Sequence, residues 1–252
     1  MTATRFAATV SYDGAAFAGS QRQAAERTVQ QELETAARAL FGEPVRVELA
    51  GRTDSGVHAI GQVAAFSAHT VLGAATVGRA LNAHLPGDVA VRDVREVAPG
   101  FDPRRWARRR WYRYTIWNHE ARAPLMRRNA WHVRGNLDRG AMGHAADALH
   151  GRQDFIACSG RLEEGRTSVR TVFTAGWHCE SGALLFDIEA NAFLPQMVRR
   201  LAGAMVTVGR GTLSVEEFVR LLRQAEPGTL GPVAPAHGLC LQRVWYDEGY
   251  VA

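Results

Sequence analysis

One short run concentrates the groups able to do chemistry: Ala50-Gly51-Arg52-Thr53-Asp54-Ser55-Gly56-Val57-His58. Asp54 sits between Gly51 and Gly56, and glycines allow a sharp turn and the close approach of a ligand. The run lies between two strand candidates, so a carboxylate on it would be held out from a rigid scaffold into a cleft, as catalysis requires. Two chemistries are open to such a group, proton transfer and covalent attack. Arg52 is close enough in sequence to help anchor a phosphate or a base. An ordinary turn, in which Asp54 bonds backbone amides, fits the same spacing. Hydrolysis of a glycosidic bond would need two carboxylates, and Asp13 is the best second candidate. Cys158, Cys179 and Cys240 are far apart and form no CxxC pair, which argues against a disulfide framework, a thiolate metal site or a cysteine nucleophile. They are expected to be small buried side chains. The nine histidines show no HExxH spacing, so no metal site is expected.

The elements that must position this run can be read from periodicity and turn residues. Phe6–Tyr12 is a strand ending at the turn pair Asp13-Gly14. Thr28 and Gln31 form a capping box, followed by Val29, Leu33, Ala36, Ala37 and Leu40 at helical spacing and by Gly42 as the stop. Val45, Val47 and Leu49 alternate as a strand. After the 51–58 loop come a strand at Gln62–Phe66, a helix at Thr76–His84 and a strand at Asp88–Val97. In the second half, Arg110–Trp117 is an aromatic-rich strand and Leu137–His150 a helix. Val172–His178 and Ala183–Ala190 are a strand pair joined through Glu180-Ser181-Gly182. Leu194–Val208 is a long helix. Ser214 and Glu217 cap a further helix to about Arg223, and Leu239–Tyr246 is the last strand. Pro and Gly cluster at 227–238 as a loop. The pattern predicts an α+β chain in two related lobes, 1–100 and 101–252.

Charge narrows the partner. The net charge is +5, and all 30 basic residues are arginine. Residues 101–134 carry 10 arginines against only Asp102 and Glu120. Such a concentrated patch points to a polyanion. Arginine also offers a planar fork for phosphate and a face for stacking on bases. No apolar run reaches the roughly 18 residues a membrane helix needs, and no signal peptide is visible at Met1–Arg5. A cytoplasmic location is expected.

The 50–58 run resembles the GRTDxGVHA signature of the TruA family of tRNA pseudouridine synthases. Tyr12-Asp13-Gly14, with Gly19 and Gln21-Arg22-Gln23, resembles that family's YDG…GWQRQ block. Leu81 to Pro86 resembles its NxxLP segment, and Arg110 to Tyr114 its RxYRY strand. Asn191-Ala192-Phe193-Leu194 through Met197-Val198-Arg199 resembles its NAFLxxMVR helix start. Ala234 to Leu239, with Leu241, resembles its APxxGLxL end. The matches occur in the family's order over essentially the whole chain.

The resemblance implies that Asp54 is the catalytic residue and that uridine becomes pseudouridine at positions 38 to 40 of the tRNA anticodon stem-loop. It implies that Tyr112 stacks on the uracil, that Arg199 pairs with the acid, and that Leu241 forms part of the wall above the base. Arg52 would help extrude the nucleotide. Arg104, Arg108, Arg109, Arg110 and Arg166 would contact RNA. The reaction is redox-neutral and consumes no group donor, so no cofactor is implied. A homodimer with tRNA as partner is implied, on a fold of two α+β lobes around a basic cleft. The chain departs from the pattern at two places: Ser20 stands where the block has Trp, and Pro195-Gln196 precedes Met197 in place of a His-His or similar pair. The departures are expected to alter RNA contacts without touching Asp54. A catalytically silent RNA-binding protein on the same fold is the alternative, and the joint presence of Asp54, Tyr112 and Arg199 argues against it.

Overall fold

The computed structural model describes residues 3–160, 165, 167–224 and 226–247. It divides the chain into two compact units, Met1–Arg108 with Leu241–Ala252, and Arg109–Cys240. Both mix strands with helices, so the chain is α+β, as its patterning predicts.

In the first unit, β1 (Thr4–Tyr12) runs antiparallel to β3 (His58–Ala68) and to β4 (Val89–Glu96). β2 (Val47–Leu49) also pairs with β3, and β10 (Leu239–Trp245) follows β3 in the strand order. β1 alternates Phe6, Ala8, Val10 and Tyr12 on a buried face. Phe6 stacks on Phe66 at 5.5 Å, and burying rings of this size contributes about 2–3 kcal/mol each. The β1–β3 register shifts between Val10 and Tyr12, just before the chain leaves β1 for the Asp13-Gly14 turn.

Two helices belong to this unit, α1 (Val29–Phe41) and α2 (Ala74–His84). The Thr28 hydroxyl caps α1 by accepting from Gln31 N, and Gly42 closes it. Val29, Leu33, Ala36 and Ala37 form its buried stripe. Arg27, just ahead of the cap, donates two hydrogen bonds to the Asp88 carboxylate, at 2.7 and 2.9 Å. That bond holds the Asp88 carboxyl below the usual range. A depressed carboxylate stabilises the fold above about pH 4 and loses that contribution as pH falls through its lowered value. Arg27→Gln is therefore expected to lower the urea midpoint at pH 7, with the deficit narrowing below about pH 4.

In the second unit the strand order is β5 (Arg109–Asn118), β9 (Ala183–Ala190), β8 (Val169–Glu180) and β7 (Gly151–Asp154). β6 (Trp131–Val133) pairs parallel to β5. The helices are α3 (Arg139–Asp147), α4 (Met197–Gly209) and α5 (Val215–Leu222). The core is built on Tyr114, Ile116, Met142, Phe186, Ile188, Leu201, Met205 and Phe218, all fully buried. Trp177 stacks on Phe186 at 5.0 Å and points its indole N–H at the Met205 sulfur.

α4 begins at Met197 rather than Leu194, because Gln196 adopts a left-handed conformation, φ 63°. Cys158 is buried as expected, but Cys179 is exposed and accepts from Arg139 Nη1 at 3.1 Å. Among the described residues, no helix is long and apolar enough to cross a membrane.

Candidate active site

The run 50–58 leaves β2 and enters β3 at His58. Asp54 lies on it, half-buried, beside exposed Arg52 and buried Thr53. The Asp54 carbonyl accepts from Val57 N at 3.1 Å, which closes a turn over Ser55-Gly56. Gly56 occupies its third position at φ 79°, the conformation a type II turn demands there.

The residue before the acid is held from several sides. Thr53 N donates to the Ser20 hydroxyl at 2.8 Å, and Ser20 N donates to Thr53 O at 3.2 Å. The Thr53 and Tyr12 hydroxyls are 2.8 Å apart, so the end of β1 grips the same residue. Beyond the acid, Gly56 N and the Ser55 hydroxyl both donate to Phe17 O, at 3.3 and 3.1 Å. Gly14 N donates to His58 Nδ1 at 3.0 Å. Asp13 Oδ1 lies 3.1 Å from that same Nδ1. At the start of the run, Gln62 Nε2 donates to Gly51 O at 2.9 Å, and Ala50 N to Val63 O at 2.8 Å. A loop tied this densely can present one carboxylate in one orientation, the geometric requirement for catalysis by a positioned group.

Ser20 is fully buried. The sequence points to altered RNA contacts here; in the fold the Ser20 hydroxyl and backbone N–H form two of the bonds that fix the residue preceding Asp54. Ser20→Ala leaves the Thr53 N–H without its acceptor in a buried place, which costs about 1–3 kcal/mol. The chemical-denaturation midpoint is expected to fall accordingly. Tyr12 and His58 are further supports whose roles were not foreseen, although both lie in segments that carry the resemblance. Leu241, on β10 in the same unit, is fully buried.

The second unit carries Tyr112 and Arg199. Tyr112 lies on β5 opposite Ile188, and its buried ring meets Phe193 edge-on at 5.0 Å. Phe193 stands four residues before α4, so it joins the aromatic strand to the helix that bears Arg199. Arg199 Nε donates to Ala234 O at 2.8 Å. Two residues along β5 from Tyr112, Tyr114 is fully buried and donates its hydroxyl to Pro235 O at 2.8 Å; burial pushes its phenol well above the ordinary value. Both bonds clamp the 234–235 segment. Gln196 accepts from Arg200 Nη2 at 3.2 Å, so the Pro195-Gln196 departure shapes the start of α4.

The arginines expected to face RNA differ in setting. Arg104 is exposed, its backbone N–H bonded to Asp102 Oδ1. Arg108 pairs with Asp247 at 2.7 Å. Arg109 lies over the Phe173 ring at 4.6 Å, with Glu189 at 4.0 Å. Arg110 is buried and donates to Asn191 O at 2.7 Å, which gives it a structural task. Arg166 lies outside the described residues.

A family model described as tRNA pseudouridine synthase matches residues 8–104 and 145–247. The chain belongs to the tRNA pseudouridine synthase family. Asp54, Arg199 and Leu241 fall inside the segments that match this family, and Tyr112 falls between them. Among similar family proteins is the tRNA pseudouridine synthase A of Chloroflexus aurantiacus, 43% identical over 247 residues, which covers 96% of this chain and 88% of that protein. That of Myxococcus xanthus is 42% identical over 246 residues, covering 97% and 93%. That of Geobacter sulfurreducens is 42% identical over 235 residues, covering 92% and 96%.

Proposed function

We propose that this chain isomerises uridine to pseudouridine in the anticodon stem-loop of tRNA, at positions 38 to 40, with Asp54 as the catalytic carboxylate. The observation that carries the reading is the Asp54 loop, bonded through Thr53 to Ser20, in a chain of this family. In the reaction the bond from N1 to the ribose breaks, the uracil turns over, and C5 bonds to the same ribose carbon. The C5 proton leaves, and N1 gains one. A carboxylate serves such a reaction by adding covalently to the sugar or the base, or by removing a proton from the ribose. No electrons are gained or lost overall, and no cofactor is called for.

Tyr112, Arg199 and Leu241 are the residues we assign to holding the uridine. Arg52, exposed on the loop, is assigned to stacking or phosphate contact as the nucleotide leaves its helix, a step that costs a few kcal/mol. Arg104, Arg108, Arg109 and Arg166 are assigned to the RNA backbone, and Arg110, buried on Asn191 O, is left out of that set. The lobe 1–100 would present the acid, and 101–252 the aromatic strand and the α4 arginine. A homodimer acting in the cytoplasm completes the reading.

The test uses tRNA carrying tritium at C5 of its uridines. The expected result is tritium released to water in step with pseudouridine formation. Binding without release from any tRNA would leave a silent RNA-binding protein. Free uracil as product would indicate glycosidic hydrolysis.

A further inference from the structure

The second unit has a cleft of ≈ 860 Å³ that contains no residue of the Asp54 loop. Its lining combines two indoles, Trp117 and Trp131, with three guanidinium groups, Arg122, Arg127 and Arg134. All three arginines are exposed. Arg127 donates to Pro124 O at 3.0 Å, and among the described residues none of the three has a carboxylate within 4.0 Å. Elsewhere, arginines such as Arg5, Arg22, Arg27, Arg113 and Arg220 are each paired with an acid. The cleft thus gathers three cations that form no ion pair among the described residues.

Glu120 is the acid in the lining, and one of its carboxylate oxygens accepts from Gly135 N at 3.1 Å. The walls are built to last. Trp117 donates its indole N–H to Ala121 O at 2.8 Å and lies 5.4 Å from the His119 ring, tilted 32°. Asn118 Nδ2 donates to Val133 O and Gly135 O, at 3.0 and 2.8 Å, tying the strand to the far side of the loop. Trp131 is seated edge-on against Tyr114 at 6.3 Å.

Three guanidinium groups with no carboxylate partner among the described residues, beside fixed aromatic faces, are the components that bind single-stranded or looped RNA. Phosphates take the cations, and an unstacked base takes an indole face. We propose that this cleft is a second binding site for the RNA substrate, in which a looped segment of tRNA sets its phosphates on Arg122, Arg127 and Arg134 and a base against Trp117. The site rests on the reading of the chain as a tRNA enzyme, and Trp117, Arg122, Arg127, Trp131 and Arg134 fall in the stretch between the two segments that match the family. Its role is affinity: it holds the body of the tRNA while the Asp54 loop acts on one nucleotide.

The test uses the full-length protein with an unmodified tRNA transcript. The triple variant Arg122→Gln, Arg127→Gln, Arg134→Gln is compared with wild type, binding being measured across a series of salt concentrations. Three lost phosphate contacts should make the slope of log affinity against log salt shallower by about 2 to 3. Binding near physiological salt should weaken about tenfold or more, while turnover at saturating tRNA stays at the wild-type value. Trp117→Leu should weaken binding about tenfold at every salt concentration and keep the slope. Wild-type affinity and slope in the triple variant would overturn the site. So would an unchanged slope with a changed oligomeric state, which would make the cleft a contact between copies of the chain. A wild-type protein that binds tRNA but isomerises none of it would sink the enzymatic reading alone, and the salt slopes would still decide the cleft.

Discussion

Asp54→Asn is expected to lower turnover by about 10³-fold or more at saturating tRNA, with the affinity for tRNA held within about twofold. Asparagine keeps the shape of the side chain and removes the charge. The loop around it is held by Thr53, Ser55 and Gly56, whose bonds run through Ser20, Tyr12 and Phe17 and do not use the Asp54 carboxylate. The turn at 54–57 is closed by the Asp54 backbone carbonyl, which the substitution leaves in place. A large loss of rate in a variant that keeps the wild-type urea midpoint therefore reports chemistry, not a collapsed loop. Loss in kcat with little change in affinity is the signature of a group that acts in the transition state. Equal losses in binding and in rate would instead make Asp54 a tRNA-holding residue.

Gly14→Ala is expected to damage both the fold and the reaction. A Cβ on Gly14 would land on the Val57 carbonyl oxygen, with the Val57 carbonyl carbon 2.5 Å away. That obstacle is backbone, so no rotamer change relieves it. Gly14 N also donates to His58 Nδ1, which ties the same turn to the start of β3. Room for a methyl can come only from moving Val57, whose N–H is bonded to Asp54 O. The expected cost is about 2–3 kcal/mol of stability, read as a fall in the urea midpoint. Turnover should fall by about tenfold or more even where the variant remains folded, since small displacements of a catalytic group are expensive. Full activity in a folded Gly14→Ala protein would show that the loop tolerates movement and that its dense bonding serves stability alone.

Elements whose causes are local could be read from the sequence. α1 carries its cap at Thr28, its apolar stripe and its stop at Gly42 within a few turns, and it forms where they place it. The Ser214 hydroxyl caps α5 through Glu217 N in the same way. The missed elements depend on distant partners. β7 is Gly-Arg-Gln-Asp, with no apolar alternation, and it is a strand because Gly151 to Asp154 pair with Val172 to Val169. β6 exists through its parallel register on Ile116 to Asn118 of β5. The start of α4 is set by the left-handed Gln196, which apolar periodicity does not register. The same division holds at the site. The signature run marked Asp54, because its residues are contiguous. The supports on Thr53 come from Tyr12 and Ser20, 41 and 33 residues away, so their hydrogen bonds were hidden until the chain folded. Arg110 looked like its neighbours in a basic run, yet strand alternation buries it while Arg109 stays exposed.

The most direct measurement maps pseudouridine at single-nucleotide resolution in a tRNA transcript incubated with the purified protein, wild type beside Asp54→Asn. The account predicts new pseudouridine within positions 38 to 40 for the wild type, and none for the variant at equal tRNA occupancy. Pseudouridine formed to the same extent by the variant, or no modified uridine in the anticodon stem-loop with wild-type protein bound, would contradict it.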